Sequence, residues 1–562
     1  IGTLAVAASA FAAFAFQARS AGAATTITVN GSCSLSQAVS AVNTQKKVGS
    51  CGAGTGGDTI IVPSGTTTNV SSTLTITRSV TIRSPNSTVI SNIFTTSGSH
   101  LSALFAISPI VGTAASVTFA NVQLVDLDGT ATGISAVGKN STDKLTVNAS
   151  LLSSFGNSGI SASAMSVTVH DCSFDNNSGQ LGGAISVQGS ASNAVLNVSN
   201  TTFQDNGADA GGAIYDSAPA HSIISNSTFN RNSATMGGAL ALFGSGTYDI
   251  LGSTIAFNSA SSQGGGGINT ATVNFNLTLI AGNTIGGDPN FASDWDFNSV
   301  INSFTDSLVA NIFSYDGTGQ FSDLIIENLG VNSIINADAA SVINGGDAFT
   351  LGGDILAPPG ALLLPPTSPA IDAIPANTSS LATDERGFAR GIDVAGGVGS
   401  NKFDIGAIEY DPNLQAENVV ARTITNGTLS AVSGITGFQP SSGKGIKFVP
   451  GSSGASSVTF HLPMYNGGGA QSLTLHIQSC PTCGRYQISI GDILLPPTDF
   501  IPIGTQSFSS STTKVVTLPA MSLAPFDPNG FGEDDVVDIK FTLVSKPAGS
   551  NGQMVLDFIK LQ

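Results

Sequence analysis

From residue 24 onward, apolar positions come in pairs and triplets, separated by Ser, Thr, Asn and Gly. Leu74-Thr-Ile76, Val80-Thr-Ile82, Val117-Thr-Phe119, Val122-Gln-Leu124 and Leu145-Thr-Val147 all alternate apolar and polar. This period-2 pattern over three to five residues predicts short strands joined by tight turns. Between Phe174 and Asn283 the pattern becomes a repeat. Phe174-Asp-Asn-Asn177 precedes Gly182-Gly183-Ala184-Ile185, and Phe203-Gln-Asp-Asn206 precedes Gly211-Gly212-Ala213-Ile214. Phe229-Asn-Arg-Asn232 precedes Gly237-Gly238-Ala239-Leu240, and Ile255-Ala-Phe-Asn258 precedes Gly265-Gly266-Gly267-Ile268. The last Asn of each unit falls at 177, 206, 232 and 258, giving steps of 29, 26 and 26.

A fixed period of this length means stacked units that cannot bury a core alone. Asn177, Asn206, Asn232 and Asn258 are expected to form a ladder, because an amide both donates and accepts. The Phe three residues earlier stacks in the same way inside the core. The Gly pairs mark places where the backbone needs positive φ or close approach. These features predict a right-handed parallel β-helix over residues 24–411, in about fifteen coils of the repeat length. An amphipathic helix from Leu35 to Asn43 would cover its open first coil, since a terminal coil exposes core and strand edges. From Gln415 the strands lengthen, as in Ser457–Leu462, Ser472–Ile477 and Met554–Leu561. Alternation at regular spacing over residues 412–562 predicts a β-sandwich.

Composition narrows the setting. Only 10% of the 562 residues are charged, and the net charge is −17. Phosphate binding needs clustered Lys and Arg, so nucleic acid is excluded as a partner, and anionic membranes are disfavoured. Ile1 to Phe16 is apolar and uncharged, and Ala21-Gly-Ala23 offers a cleavage site. Residues 1–23 therefore read as an export signal, with a membrane or neighbouring subunit as partner only if the segment is retained. In an exported chain, Cys33 with Cys51 and Cys480 with Cys483 read as disulfides, and Cys172 as a small buried residue.

The Gly-Gly-Ala-Ile and F-x-x-N units resemble the polymorphic outer-membrane protein repeat, which implies a β-helical domain at the cell surface. The stretch from Cys33-Ser-Leu-Ser-Gln-Ala38 to Gly57-Asp58-Thr-Ile-Ile-Val-Pro63 resembles the N-terminal cap of bacterial surface β-helices. Ser368-Pro-Ala-Ile-Asp372, Thr383-Asp-Glu-Arg386 and Asp404-Ile-Gly-Ala-Ile-Glu-Tyr410 resemble the C-terminal end of choice-of-anchor Q proteins. There Asp372, Asp384, Arg386 and Asp404 are expected to form an ion-pair cluster closing the last coil. Gln415-Ala-Glu417, Gly443-Lys-Gly445 and Leu556-Asp557-Phe-Ile559 resemble a galactose-binding-like jelly roll, similar to carbohydrate-binding modules of the sixth family. That resemblance implies a structural calcium at Glu417 and Asp557, whose carboxylates suit a hard cation. It also implies glycan stacking on aromatics, for which Tyr465, Tyr486, Phe500 and Phe531 are the candidates.

Two functions follow. One is a non-catalytic, secreted or cell-surface structural and adhesive protein, with glycans or other copies of itself as partners, up to a self-assembling filament. The alternative is a β-helical polysaccharide lyase or glycoside hydrolase with a binding module. An enzyme needs carboxylates paired on one face of neighbouring coils. Asp171, Asp175, Asp205, Asp209, Asp216 and Arg231 are scattered in phase, Lys is absent from Leu145 to Ser400, and only His170 and His221 offer bases.

Overall fold

The computed structural model describes residues 24–64, 67–85, 90–189, 194–263, 267–270 and 272–285, short pieces between 300 and 409, and most strands and turns between 422 and 561. The N-terminal part is a parallel β-helix. One face is an eleven-stranded sheet running from Thr26–Thr28 to Val300–Thr305, and a second runs from Thr67–Val70 to Ile334–Ile335. A third face has eight strands, from Leu74–Ile76 to Ile268–Thr270. A fourth, of five strands from Ser178–Leu181 to Thr284–Ile285, is seen among the described residues only in the four repeat coils and the one that follows them. In a repeat coil the chain passes the first face at Ser166–His170, the second at Ser173–Asp175, the fourth at Ser178–Leu181 and the third at Ile185–Gln188.

Like stacks on like. Phe174, Phe203 and Phe229 point inward in register, with ring centroids 5.2 and 4.7 Å apart and planes within 13°. Asn177 Nδ2 donates to Asn206 Oδ1, and Asn206 Nδ2 to Asn232 Oδ1, both at 2.9 Å. Asn232 Nδ2 donates to Asn258 Oδ1 at 2.9 Å, and Asn258 Nδ2 to Asn283 Oδ1 at 2.8 Å, so the column runs one coil past the repeat's four units. Each amide also bonds a backbone carbonyl of the preceding coil, such as Asn206 Nδ2 to Phe174 O at 3.0 Å. These side chains lie wholly inside the rod, where an unmade bond is expensive. The Gly pairs turn the chain from the fourth face to the third. Gly182, Gly211 and Gly237 have φ of 60°, 64° and 62°, and a Cβ at Gly212 would collide with the Gly238 carbonyl.

The helix Leu35–Thr44 opens with a capping box between Ser34 and Gln37 and buries Leu35, Ala38, Val39, Ala41 and Val42 against the first coil. Asn43 Nδ2 donates to Thr75 O at 2.7 Å, and Thr77 N donates to Asn43 Oδ1 at 2.9 Å. The Cys33–Cys51 disulfide closes the loop around the helix.

Residues 362–409 depart from the expected fifteenfold stack. Their described pieces add no strand to any face; they lie against the outer side of coils already formed. Leu362, Leu364, Ile371, Ile374, Ile405 and Ile408 share a buried cluster with Ala256, Leu279 and Ala281 of the second face.

The C-terminal part is a sandwich of two five-stranded antiparallel sheets. One has strand order Arg422–Thr425, Ser457–Pro463, Val536–Ser545, Arg485–Gly491 and Ile501–Ser507. The other runs Gly427–Ser433, Lys444–Pro450, Met554–Leu561, Leu473–Ile477 and Lys514–Thr517. Alternate residues of both, including Phe448, Phe460, Leu475, Tyr486, Ile488 and Phe541, form one core. Cys480 and Cys483 are disulfide-bonded at the turn into Arg485–Gly491.

Candidate functional site

In a strand, the neighbours of an inward residue point outward. With Phe203 and Phe229 inside, Thr202, Gln204, Thr228 and Asn230 lie on the outer side of the second face, yet all are buried. The pieces at 381–409 explain part of this. Glu385 is fully buried; its carboxylate accepts from Thr202 Oγ1 at 3.0 Å, Thr228 N at 3.2 Å and, more closely, Thr228 Oγ1. Burial raises its pKa well above the ordinary carboxylate value, outweighing those bonds, and neighbouring Asp384 pushes the same way. Ala407 N donates to Thr254 Oγ1 at 2.9 Å. Arg390 donates to Gly406 O at 2.7 Å and Asn226 Oδ1 at 3.1 Å, and lies 3.8 Å from Glu409. Asp372 N donates to Asp404 Oδ1 at 2.7 Å, and Glu409 N to Asp384 Oδ2 at 3.2 Å. Asp372, Asp404 and Asp384 thus belong to one bonded group through Glu409, with Arg390 as its described cation, on a strap whose Glu385, Arg390 and Ala407 reach several coils; Arg386 lies outside the described residues. Glu385 and Arg390 were not singled out from sequence. These groups are enclosed and bonded to one another, so they fasten chain to chain.

The other candidates are dispersed. Asp171 holds His170 at 2.9 Å and accepts from Asn200 at 3.0 Å, and Asp249 holds His221 at 2.8 Å and accepts from Asn274 at 2.7 Å; both groups sit at the first face, on different coils. Asp216 is buried at the third face, accepting from Ala218 N at 2.8 Å and Ser222 Oγ at 2.9 Å, and burial pushes it up to about 6. Asp209 is exposed on the fourth face, and Arg231 is half-buried at the turn after the second. Asp175 and Asp205 lie near one another at the outer edge of the second face: burial, then repulsion from Asp205, raises Asp175 to about 6. Cys172 is free and buried, and burial lifts its thiol well above the usual value.

In the sandwich, Tyr486 is core, its hydroxyl donating to Gly552 O at 2.7 Å. It is therefore no glycan platform, in contrast to the sequence expectation. Phe500 is half-buried beside Gly491, with the Lys540 ammonium 4.7 Å from its ring centroid. Thr459, Lys540 and Ser489 sit side by side on the outer side of the same sheet. Tyr465, Phe531 and Glu417 lie outside the described residues, as do residues 1–23. Asp557 is placed in the strand Met554–Leu561, with its side chain likewise outside them.

Among the described residues no group of three or more His, Cys, Asp or Glu side chains converges as a metal site, and no helix is long and apolar enough to cross a membrane. No protein-family model matches the chain, and no curated protein matches it. Among solved structures, an Acinetobacter phage tailspike protein is 12% identical over 90% of this chain and 82% of its own, with a TM-score of 0.32. A Paenibacillus xanthan lyase is 19% identical over 28% of this chain, with a TM-score of 0.21, and the match spans only 14% of the lyase. A carbohydrate-binding module of the β-sandwich superfamily is 14% identical over 28% of this chain and 65% of its own, with a TM-score of 0.20. At such scores the likeness carries no argument about what this chain does.

Proposed function

We propose that the chain is an exported, non-catalytic structural and adhesive protein of the cell surface, in which the β-helix is a stem and the sandwich engages glycans. The observation that carries this reading is where the acids of the coils go. Among the described acids of the coils, Asp216, Asp384, Glu385, Asp404 and Glu409 are buried and bonded internally, Asp171 and Asp249 hold histidines on separate coils, and Asp175 with Asp205 form a close pair at the outer edge of the second face that no described histidine joins. A lyase or hydrolase requires acids gathered around an open substrate path. On the sandwich, the half-buried Phe500 ring beside the Lys540 ammonium offers an apolar face next to a donor, the mixture a sugar face requires. Filament growth through the N-terminal end would need the helix Leu35–Thr44 displaced, which favours glycans over further copies as partner. Calcium at Glu417 and Asp557 remains part of this proposal.

The test is co-sedimentation of the full chain with insoluble and immobilised polysaccharides, with product assays on the same samples. Retention without new reducing ends or unsaturated products is expected, weakened roughly tenfold by Phe500→Ala with Lys540→Ala. Turnover that disappears when an Asp of the coils is changed would overturn the proposal in favour of the enzyme.

A further inference from the structure

We propose that the Cys480–Cys483 disulfide is a thiol–disulfide exchange site, at which a dithiol is oxidised through Cys480 Sγ. The two disulfides of the chain sit in opposite settings. Cys33 and Cys51 are both buried, 18 residues apart, around the capping helix. Cys480 and Cys483 are 3 apart, on a turn whose Pro481 and Thr482 are exposed. Cys483 is wholly buried in the sandwich core, whereas Cys480 is only half-buried. An incoming thiolate therefore meets Cys480 Sγ first.

Two donors surround that sulfur. Gln553 Nε2 donates to Cys480 Sγ at 3.3 Å. The Thr482 hydroxyl lies 3.5 Å from it, and a disulfide sulfur has no proton to give, so the hydroxyl donates. Gln553 is itself held in place: Asn551 Nδ2 donates to its Oε1, and its backbone amide donates to Asn551 Oδ1, both at 3.3 Å. Donors placed around a sulfur favour its thiolate. The turn keeps its shape through backbone bonds that do not involve sulfur. Cys480 N donates to Phe508 O and Cys483 N to Cys480 O at 3.0 Å, and Gly484 N to Gln553 O and Phe508 N to Gly484 O at 2.9 Å. Opening so short a loop returns little entropy to the unfolded chain, so it costs the fold little. In the first step a substrate thiolate bonds to Cys480 Sγ; the S–S bond breaks, and its electron pair leaves on Cys483 Sγ, which takes up a proton. In the second, the substrate's other thiolate attacks the mixed disulfide at the substrate sulfur. Cys480 leaves as a thiolate held by Gln553 and Thr482, and the substrate departs with its own disulfide. Two electrons pass from the dithiol to the protein, whose disulfide is the oxidant. Phe500 lies beside Gly491, at the other end of the strand Arg485–Gly491, so the site stands whether or not the protein binds glycans.

The test exposes the native full chain to dithiothreitol, quenches it at intervals with an alkylating agent and reads the labelled peptides by mass. Cys480 and Cys483 are expected to open at least roughly tenfold faster than Cys33 and Cys51, releasing one equivalent of oxidised dithiothreitol per chain. In the reduced protein Cys480 is expected to alkylate faster than Cys483 at neutral pH. Gln553→Ala is expected to slow Cys480 roughly threefold, with far-ultraviolet circular dichroism unchanged. Thr482→Val, on the exposed side of the turn, reads the same loss should Gln553→Ala fold poorly. Equal opening of the two disulfides, or opening of Cys480–Cys483 only in denaturant, would overturn the site. So would folded variants whose Cys480 alkylates at the unaltered rate.

Discussion

The β-helix holds the turn after its second face in two different ways. In an early coil the carboxylate of Asp126 does so, with the Thr95 hydroxyl of the coil before. The carboxylate accepts from Thr95 Oγ1 at 2.8 Å, Asp128 N at 3.2 Å, Thr130 N at 2.7 Å and Ala131 N at 2.6 Å. In the repeat coils, Asn206 accepts from Asn177 and donates to Asn232 and to Phe174 O. A carboxylate can only accept, so it satisfies one turn and stops; an amide accepts and donates, so each coil completes the one before it. The same task is solved once locally and once as a column, and only the column leaves a period in the sequence.

Exchanging the two side chains should expose this difference most. Asn206→Asp removes the donor and sets a buried charge against Phe174 O and Asn232 Oδ1, which should destabilise the repeat coils by about 3–5 kcal/mol. Asp126→Asn keeps an acceptor for the backbone amides and should lose only about 1–2 kcal/mol. Hydrogen-exchange protection of peptides spanning 200–210 and 124–134 measures each; equal losses would mean the direction of donation does not matter.

Acid should divide the regions with opposite signs in calcium-free buffer. Asp175 and Asp216, both raised to about 6, and the raised Glu385 bind protons more tightly folded than unfolded. Stability of the repeat coils should therefore rise as pH falls from about 6 towards 4. At Asp58 and Asp143, burial pushes upward, but hydrogen bonds from Gly56 and Thr25, and from Ala115, Lys139 and Asn140, win and hold both below 3.8. Their contribution is complete above 3.8 and is lost as pH falls below it, so the early coils should loosen first under stronger acid. Protection measured at pH 7, 5 and 3, corrected for intrinsic exchange, tests both signs.

The smallest effect concerns the end of the stack. Ser34→Ala removes the hydroxyl that accepts from Gln37 N at 3.2 Å and should cost about 1 kcal/mol, read as a modest loss of protection confined to the helix.

What was legible in the sequence follows from the same contrast. The Asn and Phe columns, the Gly turns, the capping helix and the lengthened strands of the sandwich all repeat or alternate, so pattern reveals them. The strap does not: Glu385 meets Thr202 across 183 residues, and nothing periodic links the two. Gln204 likewise reads as an ordinary outward polar residue, because what encloses it is not local. Tyr486 was legible too: it alternates in phase with Ile488 and Ile490, which places it on the inward side and not on a glycan-facing one.

The amide column also governs how the molecule's length can change. Any whole unit added to it or removed from it finds the same partners above and below, whereas a fractional insertion would strand an Asn against a carbonyl of the wrong coil. Growth by duplication is thus free in integral steps, except where Glu385 clasps Thr202 and Thr228 together; there the strap works as a fixed gauge, and an extra unit would tear it from one of its two holds.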